Sequence, residues 1–236
     1  VYTADPRLVP EARKLNEIGY EEMLEMASLG SKVMHSRAVE LGWVYNMPIL
    51  VASSFSSAPG TLIHGGVSME VRNKVSGIAH DLNVAKVTVL GVPDRPGIAA
   101  QLFQPLANAA ISVDTIVQNA SADRKITDLT FTVSRTDLAK AMKLVEPVAR
   151  AIAAMGCVSD ARLAKVSLVG AGMQSAPGYA ATMFRALYEA GINIELITTS
   201  EIKITCLIDE KRVTDAVRAL HRAFELEKGE EFTVKK

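Results

Sequence analysis

The stretch AKVTVLGVPDRPGIAAQLFQPLANAAISVDTIVQNAS, residues 85–121, returns later in the chain as AKVSLVGAGMQSAPGYAATMFRALYEAGINIELITTSE, residues 164–201. Lys86 matches Lys165 and Gly91 matches Gly170. After two extra residues in the second copy, Pro96-Gly97 matches Pro177-Gly178, Phe103 matches Phe184 and Ile111 matches Ile192. An internal repeat decides the architecture, because both copies must fold as the same supersecondary unit. In each, β-branched alternation at Val87-Thr88-Val89-Leu90 and at Val166-Ser167-Leu168-Val169 marks a short strand ended by glycine. The Pro-Gly pair then opens a helix, since apolar residues recur at helical spacing: Ile98, Leu102, Phe103 and Leu106, or Met183, Phe184 and Leu187.

Alternation predicts further strands over Val113 to Val117 and Leu129 to Val133 in the first copy, and over Ile192 to Ile197 and Ile204 to Ile208 in the second. Second helices follow from Leu138, Met142 and Val145, and from Val213, Val217 and Leu220, with Pro147 expected to kink or divide the former. The order β-α-β-β-α is that of a ferredoxin-like unit, an α+β fold with an antiparallel sheet and both helices on one face. Val158 to Leu163 supplies a fourth strand to the first copy. The second copy ends in a charged stretch and Phe232-Thr233-Val234, so Val75 to His80 is expected to cross over and complete its sheet. The first domain, 82–163, is then an insertion in the second, 75–81 plus 164–236.

Upstream of the repeat the texture changes. Tyr20-Glu21-Glu22-Met23-Leu24-Glu25-Met26 reads as an acidic, Met-rich helix with Met23, Met26 and Ala27 on its core face, and another helix is expected around His35 to Val44. Ser53 to Gly60, rich in Ser, Pro and Gly, reads as a linker, which puts a domain boundary near residue 60. The chain begins at Val1 without Met, as a fragment or processed product would.

Composition narrows the function classes. With 236 residues, 49% hydrophobic and 22% charged, the chain has the balance of ordinary globular domains. Lys+Arg and Asp+Glu are equal at 26 each, so no net field favours nucleic acid or an anionic membrane. Cys157 and Cys206 are the only cysteines and the four histidines are scattered, which gives no metal signature and fits a reducing cytoplasm. No apolar run reaches the ~18 residues of a membrane span. Gly170-Ala171-Gly172 after a strand, with Glu195 downstream, has the outline of a dinucleotide loop, but Ser175 replaces the third glycine, Pro177 intrudes, and the first copy has no GxG.

The repeat carries groups suited to a free amino acid, which presents both a carboxylate and an ammonium. Helix-start amides after Pro96-Gly97 form a small anion site, and Gly97 allows close approach. Asp94 either accepts from the ammonium or caps the helix, and Gln118 can bridge either ligand group.

Three further stretches sharpen the reading: Val1-Tyr2-Thr3-Ala4-Asp5-Pro6-Arg7, Glu21-Glu22-Met23-Leu24-Glu25 and Gly30-Ser31-Lys32-Val33-Met34-His35. With VTVLGVPDRPG, NIELITTSEIKI and Pro59-Gly60-Thr61, they resemble the C-terminal part of aspartokinases along essentially the whole chain. The resemblance implies a remnant of an amino-acid kinase domain over 1–60, followed by two regulatory domains of the ACT type. Aspartokinases transfer the γ-phosphoryl group of ATP to the β-carboxylate of aspartate on the route to lysine, threonine and methionine. Branches of the family are feedback-inhibited by lysine, threonine or both through paired ACT domains.

By the same resemblance, Tyr2, Arg7 and Lys32 fall where the family contacts nucleotide, although Ser36 stands where the family usually has proline. The family's N-terminal glycine-rich segment and aspartate-binding residues are absent, so no catalytic residue is assigned and this chain alone is expected to be inactive. ATP and Mg²⁺ are expected only for the intact kinase, with no cofactor in this chain. The family places its effector between the first domain of one chain and the second of another, implying a homodimer. A threonine-like site then comprises Asp94, Gly97, Ala99, Gln118, Asn193 and Ile194. A lysine-like site comprises Val113, Asp114, Ala180, Ser200 and Glu201, whose two carboxylates suit a cationic side chain. Ser112 stands where the second copy has Asn193, so the two pockets are not interchangeable. The implied partners are lysine and/or threonine and an aspartokinase catalytic domain or subunit; the alternative is a structural assembly subunit that binds no effector.

Overall fold

In the computed structural model, residues 1–66, 75–119, 126–173 and 177–228 are described. The terminal Phe232-Thr233-Val234 lies outside them, as does Ser175. The chain divides into two compact units, one of Val1–Leu82 with Lys165–Lys236 and one of Asn83–Ala164.

The amino-terminal part of the larger unit is built on a three-stranded sheet, ordered β1-β3-β2. β1 (Glu17–Gly19) runs parallel to β3 (Thr61–His64), and β2 (Ile49–Val51) runs antiparallel to β3. Ser53–Gly60, read as a linker, connects β2 to β3 within this sheet. Helix α1 (Tyr20–Ser28) buries Met23 and Met26 among Ile18, Val39 and Ile63, with Ala27 packed at the edge. Helix α2 (Ser36–Val44) starts behind His35, whose Nδ1 accepts from the Arg37 amide at 3.2 Å.

Both repeats fold as β-α-β-β-α. The first comprises β4 (Gly77–Pro93), α3 (Ile98–Asn108), β5 (Val113–Gln118), β6 (Ile126–Val133) and α4 (Leu138–Ala151). The second comprises β7 (Gly156–Val169), α5 (Tyr179–Glu189), β8 (Leu196–Thr199), β9 (Lys203–Asp209) and α6 (Val213–Ala223).

The long strands β4 and β7 each serve both units. In the smaller unit the strand order is β5-β6-β4-β7, with the early part of β7 as the fourth strand. In the larger unit the order is β8-β9-β7-β4, with the first residues of β4 in the same role. The Ser76 amide donates to the Val169 carbonyl at 2.7 Å and the Met155 amide to Leu90 at 2.8 Å, so β4 and β7 run antiparallel.

Apolar faces explain the layering. In the smaller unit Val87, Val89, Leu129 and Phe131 from the sheet meet Leu102, Leu106, Ala141 and Val145 from α3 and α4. Phe103 closes edge-on against Phe131 at 5.2 Å between ring centroids. In the larger unit Tyr179 stacks on Phe224 at 6.1 Å. Pro147 lies inside α4 and does not divide it. It and Lys143, whose carbonyl loses its amide partner, are both exposed, so that carbonyl is open to solvent.

Between Val89 and Val92 the register of β4 against β6 shifts by a bulge, where Gly91 holds φ +60° and its amide donates to Asp128 Oδ1 at 2.8 Å. Gly91→Ala is expected to cost about 1–2 kcal/mol, the penalty of the left-handed backbone for an L side chain. An added Cβ would meet Met155 Cγ at 2.5 Å, but Met155 is 75% exposed and can swing away. Urea unfolding of the variant checks the value.

His221, buried in the last turns of α6, pairs its Nε2 with Thr3 Oγ1 at 2.9 Å. Burial pushes its imidazole below the usual 6.5, and the carboxylates of Glu227 and Glu11 oppose the effect without overcoming it. The folded state therefore favours the neutral ring, and below about 6.5 the unfolded chain binds the extra proton first. The stability that neutral His221 contributes is full above that pH and is lost as pH falls toward the depressed folded value. His221→Gln should flatten this limb in urea melts taken between pH 7 and 5.

Candidate functional site

The two helix starts that the sequence singled out are built alike. Gly97 precedes α3 at φ +91° and Gly178 precedes α5 at φ +106°. Both angles lie where glycine is favoured, and neither helix has a side-chain cap. Asp94 is exposed and does not cap α3, so the capping alternative is not realised. A Cβ on Gly97 would meet only Gln101 Nε2, at 4.0 Å, so the space above this helix start is open. The first-turn amides, uncapped by side chains, are the donors a carboxylate needs.

Strand directions decide which residues share an end of each sheet. β4 and β5 both run antiparallel to β6, so their carboxyl ends lie together and bring Asp94, Gly97 and Ala99 to the same end as Gln118. Val113 and Asp114 lie at the opposite end of β5, beside a register shift between Val113 and Ile116. There the Thr115 amide donates to Thr132 Oγ1 at 3.1 Å. In the larger unit the Gly170 amide donates to the Ile202 carbonyl at 2.9 Å, and β8 runs antiparallel to β9. Ser200 and Glu201 therefore share an end with the loop that leads to Ala180. Asn193 and Ile194 lie at the other end of β8, where Asn193 Nδ2 donates to Glu195 Oε1 at 3.1 Å.

Each unit thus offers a loop end and a strand-start end. The threonine-like residues divide into Asp94, Gly97, Ala99 and Gln118 in the smaller unit and Asn193 and Ile194 in the larger. The lysine-like residues divide into Val113 and Asp114 in the smaller and Ala180, Ser200 and Glu201 in the larger. All of them are exposed or half-buried. β5 and β8 are the outer strands of the described sheet, and Ile116 (53%) and Ile197 (45%) keep apolar side chains in the open.

The amino-terminal residues gather as well. Arg7 forks onto Asp5, Nη2 to Oδ2 at 2.7 Å, and this hydrogen bonding holds the Asp5 carboxyl below its usual range. Burial lowers the His80 imidazole; the Arg7 and Lys32 cations add to the effect, while Asp5 and Asp81 oppose it. Both cations are thus near His80, and Tyr2 is 41% exposed. Sequence reasoning missed His80 and Asp5: a lone histidine at the start of a strand has no pattern to flag it. An aromatic face with two neighbouring cations is chemistry that fits a nucleotide, although Arg7 would have to share its guanidinium with Asp5. Among the described residues no three His, Cys, Asp or Glu side chains converge as a metal set, and no helix is long and apolar enough to cross a membrane.

Comparison with known proteins agrees with this layout. Residues 86–150 and 166–224 each match an ACT domain, and residues 1–53 match the amino acid kinase family. The chain is 50% identical to an aspartokinase of Pseudomonas aeruginosa over 229 residues, 96% of this chain and 55% of that protein. It spans about half the length of the curated relatives it matches. The regulatory subunit of aspartate kinase from Thermus thermophilus, solved free of ligand, is 40% identical with TM-score 0.61, and covers 64% of this chain and 99% of its own. E. coli aspartokinase III, solved with lysine and aspartate, is 25% identical with TM-score 0.73 over 95% of this chain and 49% of its own. With two ACT repeats behind a kinase-type segment, and with these relatives, the chain belongs to the aspartokinase family.

Proposed function

We propose that this chain is the amino-acid-sensing, regulatory part of an aspartate kinase, binding lysine and/or threonine to control phosphorylation of aspartate by ATP. The observation that carries the reading is the paired construction of the repeats. Each has a left-handed glycine, a helix start without a side-chain cap and an outer strand with acceptors at both ends. The amides suit the ligand carboxylate, and Asp94 or Glu201 suits its ammonium or a lysine side chain. The complex of E. coli aspartokinase III with lysine supports lysine as one ligand.

The effector lies between the first repeat of one chain and the second repeat of another, in a homodimer joined along outer strands. Control requires that the ligand bind one dimer arrangement more tightly than another. The partner is an aspartokinase catalytic domain or subunit, in the cytoplasm. Phosphoryl transfer needs phosphates, Mg²⁺ and acceptor positioned together, so ATP and Mg²⁺ act in the intact kinase, where Tyr2, Arg7 and Lys32 contribute to the nucleotide side.

Calorimetric titration of the purified chain with lysine and with threonine, with mass followed by light scattering, tests the proposal. Saturable binding to a dimer is the expected result. A stable dimer indifferent to both amino acids would replace it with a purely structural assembly role.

A further inference from the structure

Near the end of the first strand of each repeat one backbone amide is captured by a carboxylate, but the carboxylates come from different places. In the first repeat Gly91 donates to Asp128 Oδ1 at 2.8 Å, a residue of the same repeat. In the second, Ala171, next to the matching Gly170, donates to Glu22 Oε1 at 3.0 Å. Glu22 sits on α1, in the kinase-type segment, and is 1% exposed. Its Oε1 also accepts from Ser76 Oγ at 2.5 Å, and its Oε2 from the Gly19 amide at 3.4 Å.

One turn further along the same helix face, Glu25 Oε2 pairs with Lys203 Nζ at 2.9 Å, both side chains about three-quarters buried. Lys203 closes the β8–β9 turn, where its carbonyl accepts from the Ser200 amide at 2.9 Å. The Gly170 amide meanwhile binds Ile202, between Glu201 and Lys203. Helix α1 therefore holds Ala171, just after β7, and Lys203, which closes the turn that carries Ser200 and Glu201, and these contacts all lie within the larger unit.

We infer that Glu22 is a positioning residue for the second repeat's ligand loop, through which the kinase-type segment and the Ser200–Glu201 pocket sense each other's state. The inference rests on the sensing role proposed above. A buried carboxylate that accepts from a loop amide keeps its ligand-binding segment ordered in advance, and without it that ordering becomes part of the cost of binding. In the first repeat the matching Gly91 amide, at the bulge of β4, is held by Asp128 of the same repeat. Occupancy of the two pockets should therefore couple differently to the amino-terminal segment.

The test uses the chain with Glu22→Gln, Ser76→Ala and Lys203→Met, titrated with lysine and threonine by calorimetry. Glu201→Ala and Asp94→Ala first identify which ligand uses which pocket. The expected result is that Glu22→Gln weakens the Glu201-dependent ligand about tenfold and leaves the Asp94-dependent one unchanged. Ser76→Ala and Lys203→Met should give smaller losses in the same pocket, and all three should speed amide exchange at residues 171–173. Unchanged affinity in Glu22→Gln overturns the inference, as does equal weakening of both ligands together with a lower Tm, the mark of a merely structural residue. If Glu22→Gln does not fold, Ser76→Ala, which keeps the carboxylate, decides by the same criteria. A wild-type chain that binds neither amino acid defeats the sensing reading itself, and exchange at Ala171 in Ser76→Ala then still reports whether Glu22 holds the loop.

Discussion

Gly30→Ala is expected to destabilise the larger unit by about 4 kcal/mol and to lower Tm by roughly 10 °C. Gly30 holds φ +100°, outside the range that L side chains adopt comfortably. An added Cβ would stand 2.2 Å from the His80 carbonyl oxygen, 3.0 Å from its carbon and 3.2 Å from Asp81 Cα. All three are backbone atoms of β4, which the sheet pins in place, so the clash cannot be relieved by a rotamer change. Backbone strain of ~1–3 kcal/mol and overpacking of ~1–3 kcal/mol therefore add. Gly65→Ala is the control, because its Cβ would meet Tyr20 at 3.6 Å in ordinary contact. Urea and thermal melts of the two variants should separate cleanly.

Asp94→Ala should weaken the threonine-type ligand by about tenfold or more while leaving stability within ~0.5 kcal/mol. The side chain is exposed and caps nothing in the fold, so removing it disturbs no core and no helix end. In the proposed pocket it is the charged acceptor for the ligand ammonium, and charge-assisted hydrogen bonds are the strong ones. Calorimetry on the variant reads the loss, and lysine binding through Glu201 should survive. A variant that binds threonine as the wild type does would remove Asp94 from the site.

The repeat made much of the fold legible. Glycine-ended strands, the Pro-Gly helix starts and the 3.6-residue periodicity placed α3, α5, β6 and β9 where the structure has them. The missing fourth strand of the second copy drew attention to Val75 to His80, where β4 begins at Gly77. What the sequence hid was that this segment fuses with the next strand into the 17-residue β4, because His80-Asp81-Leu82-Asn83 breaks the apolar pattern. Likewise Ser53 to Gly60 has the composition of a linker, yet its neighbours Ile49–Val51 and Thr61–His64 pair as a hairpin.

The candidate site was legible to the extent that its groups are local. Gly97 and Gly178 announce themselves by position, since a helix preceded by Pro-Gly calls for that backbone. Glu22 and His80 did not, because their roles arise from contacts 149 and 75 residues away in sequence, with Ala171 and Asp5. Long-range partners of single charged residues leave no periodic signal. Read alone, Glu22 looks like any acidic residue in the first turn of a helix.

In the proposed homodimer each amino-acid ligand is bound by the first repeat of one chain and the second repeat of the other. Amide chemical-shift mapping by nuclear magnetic resonance during titration with threonine and with lysine tests it most directly. One ligand is expected to shift Gly97 and Ala99 together with Asn193 and Ile194, or the other to shift Asp114 together with Ala180, Ser200 and Glu201. Shifts confined to a single repeat, or centred on neither loop end, would contradict it.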